Sequence, residues 1–306
     1  AQDVALQFAA GMGGPTTDYA TDLAVDGAGN TYTTGNFQGT SDFDPGPETA
    51  NHTSAGSQDI FIQKLDESGD LAWVVPLGGS SFDSGNSLAV DSAGNVYSTG
   101  SFRGTVDFDP GVGTTNLVGP GGNNGVYIQK LDTNGNLVWA KALGGSGYGE
   151  GIGLALDASG NVLVTGRFLG TVDFDPDGGT AEISSGGEDN TFVLKLSNAG
   201  AFVWAKVLSG TNLGEGRGIG ADGSGSVYVT GSFQGTVDLD PGMSTLNATS
   251  NGQEDVFVLK LDSVGDLAWV KSFGGSQVDS AQDLVVDPAG KVFMTGYFGG
   301  TVDFDP

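Results

Sequence analysis

The stretch LAVDSAGNVYSTG, residues 88–100, contains two short runs of strand-forming residues with a glycine-containing turn between them. Gly94 can adopt the positive φ that a tight hairpin requires, so the stretch predicts two antiparallel strands. Two more apolar runs follow, on either side of the turn Asp-Thr-Asn-Gly at 132–135. No helical periodicity is present. Residues 80–145 therefore predict four strands in two hairpins, at 87–91, 96–102, 126–131 and 137–143.

A repeat of about 65 residues organises the whole chain of 306 residues. The tetrapeptide Asp-Phe/Leu-Asp-Pro recurs in steps of 65, 66, 65 and 65 residues, beginning at Asp42, Asp107, Asp173, Asp238 and Asp303. A Gly-Gly pair recurs in the same register, with Ser209-Gly210 as its variant. A fixed period of this kind indicates a single repeat architecture. The chain is therefore interpreted as one repeat domain, 1–306, with units at about 1–14 (partial), 15–79, 80–145, 146–210, 211–275 and 276–306 (partial).

The third strand of each unit shows how the sheets are covered. In the first complete unit Phe61, Gln63 and Leu65 point to one side while Ile60 and Ile62 point to the other, so both faces are largely apolar. A sheet that is apolar on both faces, in a chain without helices, must be covered by other sheets. The sequence therefore predicts an all-β fold, a β-propeller of about five four-stranded blades without helices.

The same residues resemble a known repeat family. Residues 88–100 and the segment DIFIQKLD, residues 59–66, are similar to the bacterial β-propeller repeats called SBBP and, more distantly, to NHL-type propeller repeats. The resemblance covers essentially the whole chain and implies a propeller. Family members are mostly exported or surface proteins of bacteria, so it also implies an extracellular or cell-surface location. It implies no catalytic residues.

The composition limits the partners that this chain can bind. Lys and Arg number 11 against 37 Asp and Glu, and the formal net charge of −26 opposes binding to nucleic acid or to an anionic membrane surface. No apolar run is long enough to insert into a membrane. Cysteine is absent, which excludes disulfides and thiolate chemistry. The first residues, Ala1-Gln2-Asp3, resemble the start of a chain that signal peptidase has cleaved, which is consistent with export.

The fifth unit lacks the counterpart of residues 242–261, which includes a whole third strand. A strand predicted at 4–10 aligns with the fourth strand of the other units, so it would complete the fifth blade only beside a missing neighbour. One interpretation is that the chain belongs to a longer repeat protein or that the blade tolerates the gap. The other is that a second copy or a strand-donating partner supplies the strand by β-augmentation.

The paired carboxylates of the tetrapeptide are the candidate metal ligands, in the long loop after the second strand. An extended Asp-x-Asp presents two hard oxygen ligands on one side, which suits a structural calcium ion. A single pair supplies too few oxygens, so the alternatives are that these residues cap turns or pair with lysines. The predicted calcium ligands are Asp42, Asp44, Asp107, Asp109, Asp173, Asp175, Asp238, Asp240, Asp303 and Asp305.

Lysine and tryptophan also recur with the repeat. The lysines are predicted to pair with repeated aspartates at blade edges, at Lys64, Lys130, Lys195 and Lys260 in the third strand and Lys141, Lys206 and Lys271 in the fourth. The tryptophans could stack on sugars, but their regular recurrence in a strand favours packing between blades, at Trp73, Trp139, Trp204 and Trp269.

The residues needed for catalysis are scarce. His52 is the single histidine, so no Ser-His-Asp set and no multi-histidine metal site can be built. Glu150 and Glu215 occupy equivalent positions, predicted in interblade loops, and are the one candidate pair for glycoside hydrolysis. Three arginines also depart from the repeat, Arg103, Arg167 and Arg217. The sequence favours a secreted or surface structural, adhesive or self-assembling module that is not an enzyme; binding of surface glycans or proteins, and a hydrolase or lyase activity, are the alternatives.

Overall fold

A computed structural model describes residues 11–210 and 213–304. In these ranges the chain forms strands, turns and loops without a helix, which confirms the predicted all-β class. The described residues form four complete blades and two strands of a fifth. Each complete blade is antiparallel, and its four long strands follow one another in chain order.

The strands of the blades are as follows. Blade 1 consists of Tyr19–Val25, Thr31–Phe37, Asp59–Leu65 and Leu71–Leu77. Blade 2 consists of Ser84–Val90, Val96–Arg103, Asn124–Leu131 and Leu137–Ala142. Blade 3 consists of Tyr148–Leu156, Val162–Leu169, Asn190–Leu196 and Phe202–Gly210, and blade 4 of Leu213–Ala221, Val227–Asp238, Asn247–Leu261 and Leu267–Phe273. Blade 5 contributes Ser280–Val286 and Val292–Tyr297.

The four strands predicted for residues 80–145 are all present, and the first begins earlier, at Ser84. Gly94 has a φ of +83°, as the predicted hairpin turn requires. The strand predicted at 4–10 lies outside the described residues.

A short two-stranded ribbon extends each complete blade between its second and third strands, where the sequence predicts a loop. The ribbons are Thr40–Asp42 with Asn51–Thr53, Thr105–Asp107 with Asn116–Val118, and Thr171–Asp173 with Glu182–Ser184. In blade 4 the ribbon continues the long strands, with Thr236 opposite Thr249 and Asp238 opposite Asn247. The loop prediction was wrong because three-residue strands carry too little alternation to be recognised.

The Gly-Gly pair between two blades runs against the ribbon of the following blade. Gly144 pairs with Asp173 of blade 3, and the variant Ser209-Gly210 pairs in the same way with blade 4. Gly145 has a φ of +102°, and a Cβ there would lie 2.4 Å from the backbone oxygen of Thr171. The approach of two backbones therefore explains why the repeat has glycine after the fourth strand.

The blades pack face to face, as the apolar third strands predict. Between blades 1 and 2, Ile60 and Ile62 pack in one cluster with Val96 and Phe108, and equivalent clusters join blades 2 to 3 and 3 to 4. Each of blades 1 to 3 also contains an aromatic triad, formed by one ring each from the second strand, the tetrapeptide and the third strand. The triads are Phe37, Phe43 and Phe61; Phe102, Phe108 and Tyr127; and Phe168, Phe174 and Phe192.

The first strands of the five blades surround a central channel with a cavity of about 610 Å³. One layer of the wall is formed by the residues at one repeat position, Leu23, Leu88, Leu154, Ile219 and Leu284, and the side chains of the last four are buried. The layer two residues earlier in each strand varies in chemistry, with Thr21, Asn86, Ile152, Arg217 and Gln282. Because this second layer differs from blade to blade, it is where a specific site can lie on a repetitive fold.

Candidate functional site

The carboxylates of the tetrapeptides cap the turns of the ribbons. In blade 2, Asp107 Oδ1 accepts hydrogen bonds from the backbone N–H groups of Asp109, at 3.0 Å, and Thr115, at 2.8 Å. Asp109 Oδ1 accepts one from Gly111 N at 2.8 Å. The same bonds recur in blades 1, 3 and 4, at Asp42 and Asp44, Asp173 and Asp175, and Asp238 and Asp240. The turn-capping interpretation is therefore confirmed for these four pairs.

The calcium site stays a prediction. In the part of the chain that the structure describes, no three His, Cys, Asp or Glu side chains come together in a group that could hold a metal ion. The capping bonds explain the pairs without a metal, and they lower the pKa of Asp42 through the N–H groups of Ala50 and Asp44. In the fifth pair, Asp303 is described and Asp305 lies outside the described residues.

The predicted pairing of repeated lysines with aspartates is confirmed for Lys141, Lys195, Lys206 and Lys260. Lys195 Nζ lies 2.9 Å from Asp157 Oδ2, and both side chains are buried. Lys260 pairs with Asp222 at 3.1 Å and lies over the Tyr228 ring. Lys64 and Lys130 depart from the prediction: they lie over the equivalent tyrosines of blades 1 and 2, and Lys130 Nζ donates to Asn198 Oδ1 at 2.9 Å. In the fourth strand, Lys141 pairs with Asp177 and Lys206 with Asp266.

Three of the repeated tryptophans, Trp73, Trp139 and Trp204, join neighbouring blades, which confirms the packing interpretation for them. Trp269 meets Tyr228 of its own blade and is 38% exposed. Trp73 Nε1 donates a hydrogen bond to Thr133 O of the next blade at 3.1 Å, and its ring meets Tyr32 edge-on at 6.2 Å. Trp139 and Trp204 donate equivalent bonds to the following blades. A half-buried ring held in this way has little free surface for stacking on a sugar.

A charged cluster lies on the rim of the channel, and we call it the rim cluster: Tyr148, Glu150, Arg167, Glu215 and Arg217. Arg167 donates to Glu150 Oε2 through Nε, at 3.1 Å, and through Nη2, at 2.9 Å. Its Nε also lies 3.6 Å from Glu215 Oε2, and Glu215 pairs in turn with Arg217. Tyr148 donates its hydroxyl to Glu150 at 2.8 Å.

The rim cluster extends over four blades. Asn86 Nδ2 of blade 2 donates to Glu150 Oε1 at 3.2 Å, and Arg217 Nη1 donates to Gln282 Oε1 of blade 5 at 3.3 Å. Burial by itself lowers the pKa of the Arg167 guanidinium, but the hydrogen bond to Glu150 and the surrounding charges raise it above its ordinary value. Burial and the Glu150 charge raise the pKa of Tyr148 to about 12. The cluster therefore holds its charges as matched pairs.

The structure corrects the predicted position of the two glutamates and separates the three arginines. Glu150 and Glu215 lie in the first strands of blades 3 and 4, not in interblade loops. Both carboxylates form ion pairs with arginines, which favour the charged form. Glycoside hydrolysis needs one carboxyl group that is protonated and gives its proton to the leaving group. Arg103 is exposed and stands apart from the cluster.

Sequence reasoning missed Tyr148, Asn86 and Gln282. Asn86 and Gln282 stand at the repeat position of Arg217, so a comparison of the units at that position could have found them. His52, the single histidine, lies in the ribbon of blade 1, with its ring 6.0 Å from that of Phe43.

Replacing Arg167 with leucine is expected to lower the free energy of unfolding by about 1–2 kcal/mol, because Glu150 and Glu215 then lose the cation between them. Urea unfolding of the wild-type and variant chains measures the change. Arg103→Leu is the matched control and is expected to change stability by less than about 0.5 kcal/mol, as an exposed residue outside the network. Equal losses for the two variants would show that the rim cluster contributes nothing to the fold.

The comparisons with known proteins agree with the blade architecture. The SBBP family, described as a β-propeller repeat, matches residues 73–101. An uncharacterized WD repeat-containing protein of Acanthamoeba polyphaga mimivirus is 23% identical over 261 residues, which cover 74% of this chain and 19% of that protein. The regulatory protein FlaEY of Caulobacter vibrioides is 30% identical over 124 residues, 39% of this chain and 13% of that protein. The chain thus spans a fifth or less of the length of these relatives.

Two solved structures are similar at the level of outline. One is a protein of unknown function from Bacteroides caccae, with a TM-score of 0.33 and 11% identity over 83% of this chain and 82% of that chain. The other is a glucose dehydrogenase, with a TM-score of 0.36 and 11% identity over 92% of this chain and 96% of that chain. At these values neither likeness bears on activity.

The described residues include no helix that is long and apolar enough to span a membrane. Three observations indicate a β-propeller repeat protein. The four-stranded blades repeat along the chain, the SBBP match spans the end of blade 1 and the start of blade 2, and one relative is a WD-repeat protein. The chain is a β-propeller repeat protein, and its residues 73–101 match the SBBP repeat.

Proposed function

We propose that this chain is a non-catalytic β-propeller scaffold that works outside the cell or on the cell surface, and that its copies associate head to tail. In this association blade 5 of one copy packs against blade 1 of the next. The net charge of −26 and the resemblance to exported repeat proteins support the location. The association rests on the two blade faces at the ends of the array.

The main observation behind this proposal is the exposure of Leu23 on blade 1. Leu23 is 59% exposed, whereas its counterparts in the other four blades are 3–7% exposed because a preceding blade covers them. At the opposite end, Phe293 of blade 5 is 50% exposed, whereas its counterparts in blades 1 to 4 are 0–1% exposed. Exposed apolar side chains of this size at both ends are typical of association surfaces.

The two end faces are the two halves of one interface. Inside the chain, Tyr32 at the repeat position of Phe293 packs in the same cluster as Leu88 at the position of Leu23. Phe293 of one copy and Leu23 of the next can therefore repeat a contact that the fold already makes between blades. A head-to-tail contact of this kind is heterologous, so it generates rings or filaments.

Sedimentation velocity over a range of concentrations tests this proposal. The wild-type chain is expected to show a mean mass that rises with concentration, and Leu23→Asp or Phe293→Asp should each shift it toward the monomer. Val112→Asp, at a fully exposed loop position, is the control and should behave as wild type. Repeating the series with Ca²⁺ and with a chelator tests whether the predicted calcium ligands take part.

A mixture of the two end variants gives the sharpest result. Each variant retains one intact face, so an equal mixture of Leu23→Asp and Phe293→Asp is expected to form dimers that neither variant forms alone. A wild-type chain that stays monomeric throughout, or a mixture that stays monomeric while wild type associates, would contradict head-to-tail assembly.

A further inference from the structure

Three polar side chains lie inside the interface between blades 1 and 2, and we call them the polar set: Ser98, Tyr127 and Gln129. Ser98 in the second strand of blade 2 stands opposite Gln129 in the third, and Tyr127 lies two residues from Gln129 on the same face. Tyr127 and Leu131, on either side of Gln129, belong to the apolar cluster that joins blade 2 to blade 1. The polar set therefore faces blade 1.

The polar set is buried and its hydrogen-bonding groups are unpaired. Ser98 is 1% exposed, and Tyr127 and Gln129 are 0% exposed. Four polar atoms have no hydrogen-bond partner among the described residues: Ser98 Oγ, Tyr127 Oη, Gln129 Nε2 and Gln129 Oε1. A buried polar atom without a partner is unfavourable, so nearly all such atoms in folded proteins bond to the protein or to an ordered water. Four of them on one face point to a ligand.

The members of the polar set lie within reach of one small molecule. Burial raises the pKa of Tyr127, and the neighbouring Ser98 hydroxyl partly offsets this by favouring the charged form, so the two hydroxyls lie near each other. The raised pKa keeps the tyrosine protonated at neutral pH. Residues directly opposite each other in an antiparallel pair have Cβ atoms about 5 Å apart, which brings the Gln129 amide to the same place as the Ser98 hydroxyl.

The other complete blades show that the repeat does not need polar side chains at these positions. Blades 3 and 4 have only buried apolar residues there, Val164, Phe192 and Leu194 in one and Val229, Phe257 and Leu259 in the other. In blade 1 the counterpart of Gln129 is Gln63, which donates its amide to the backbone oxygen of Phe43 at 2.6 Å. Gln129 makes no such bond within the described part of the chain, so its whole amide is open to a ligand.

We infer that the polar set binds one internal water molecule, which bridges the Gln129 amide to the hydroxyls of Ser98 and Tyr127. A water has two donors and two acceptors, so it can accept from the amide N–H and donate to an oxygen of the set, while each hydroxyl rotates to complete the network. Uncharged side chains that mix donors and acceptors suit a buried water, whereas calcium or magnesium requires several oxygen ligands with carboxylates among them. The water is a structural ligand of this one interface.

A high-resolution crystal structure of the whole chain tests this inference directly. One ordered water is expected within hydrogen-bond distance of the Gln129 amide and of at least one of the two hydroxyls. The apolar counterparts in blades 3 and 4 are the internal controls, and no water is expected beside them. A structure without the water, or one in which the Gln129 amide bonds to the backbone oxygen of Phe108 in its place, would overturn the inference.

Variants of the polar set test the same inference in solution. Ser98→Val, Tyr127→Phe and Gln129→Leu each remove one partner of the water, and each is expected to lower the urea concentration at the midpoint of unfolding. The triple variant reproduces the residues of blades 3 and 4 and is expected to recover most of this loss, because no polar atom that needs a partner remains. A triple variant whose midpoint falls by the sum of the three single shifts would contradict a shared water, since independent packing losses add.

Discussion

Replacing Phe174 with alanine is expected to lower the free energy of unfolding by about 3–5 kcal/mol, since a fully buried ring leaves a cavity that its neighbours fill only in part. Phe174 is 0% exposed and is the middle ring of the blade 3 triad, in contact with Phe168 and Phe192. Urea unfolding followed by tryptophan fluorescence reports the change, because Trp139 and Trp204 lie at the two interfaces of blade 3.

The same substitution at the equivalent position of blade 5 is the matched control. Phe304→Ala is expected to cost less than about 1 kcal/mol, because most of that ring is already in contact with solvent and its removal opens no cavity. A similar loss at both positions would mean that the tetrapeptide ring stabilises its own turn and not the triad. The pair of variants therefore separates the local role of the motif from its packing role.

Replacing Lys195 with methionine is expected to destabilise the chain by about 3 kcal/mol at neutral pH, because it leaves the buried Asp157 carboxylate without its cation. Blade 3 is expected to be especially sensitive to the loss of this lysine. In blades 1, 2 and 4 a tyrosine hydroxyl also donates a hydrogen bond to the equivalent aspartate, but blade 3 has Leu163 at that position. Lys141→Met is the control, because Lys141 and Asp177 are more exposed, and it should cost less than about 1 kcal/mol.

The pH dependence gives a second readout for Lys195. Burial raises the pKa of Asp157, but hydrogen bonds from Asn161, Lys195 and the turn backbone outweigh it, so the folded pKa lies below the ordinary value. The stabilisation by Asp157 is therefore fully present above its unfolded pKa of about 3.9 and is lost as the pH falls toward the folded pKa. The difference between wild type and Lys195→Met should be largest at neutral pH and should shrink below about pH 4. A difference that does not vary with pH would attribute the loss to packing of the lysine stem.

The blade fold could be predicted from the sequence because its signals are local and repeated five times. Alternation of apolar residues identifies the long strands, glycine marks their turns, and the 65-residue period joins them into blades. The pairing of Lys141, Lys195, Lys206 and Lys260 with aspartates and the packing of Trp73 between blades followed from the same recurrence. The short ribbons were missed, since strands of three residues carry too little pattern.

The sequence by itself therefore determined the repeat, the all-β class and the residues that depart from the repeat, Glu150, Glu215, Arg167 and Arg217 among them. Only the tertiary structure decided that Arg167 joins the two glutamates and that Arg103 stands apart, because the curvature of the array brings first strands 65 residues apart to one channel rim. The aromatic triads likewise form between residues far apart in the chain. Phe174 is buried because the third strand of blade 3 lies beside it, whereas Phe304 is exposed because a slot lies beside it. The two residues belong to identical tetrapeptides, so the local sequence could not distinguish them.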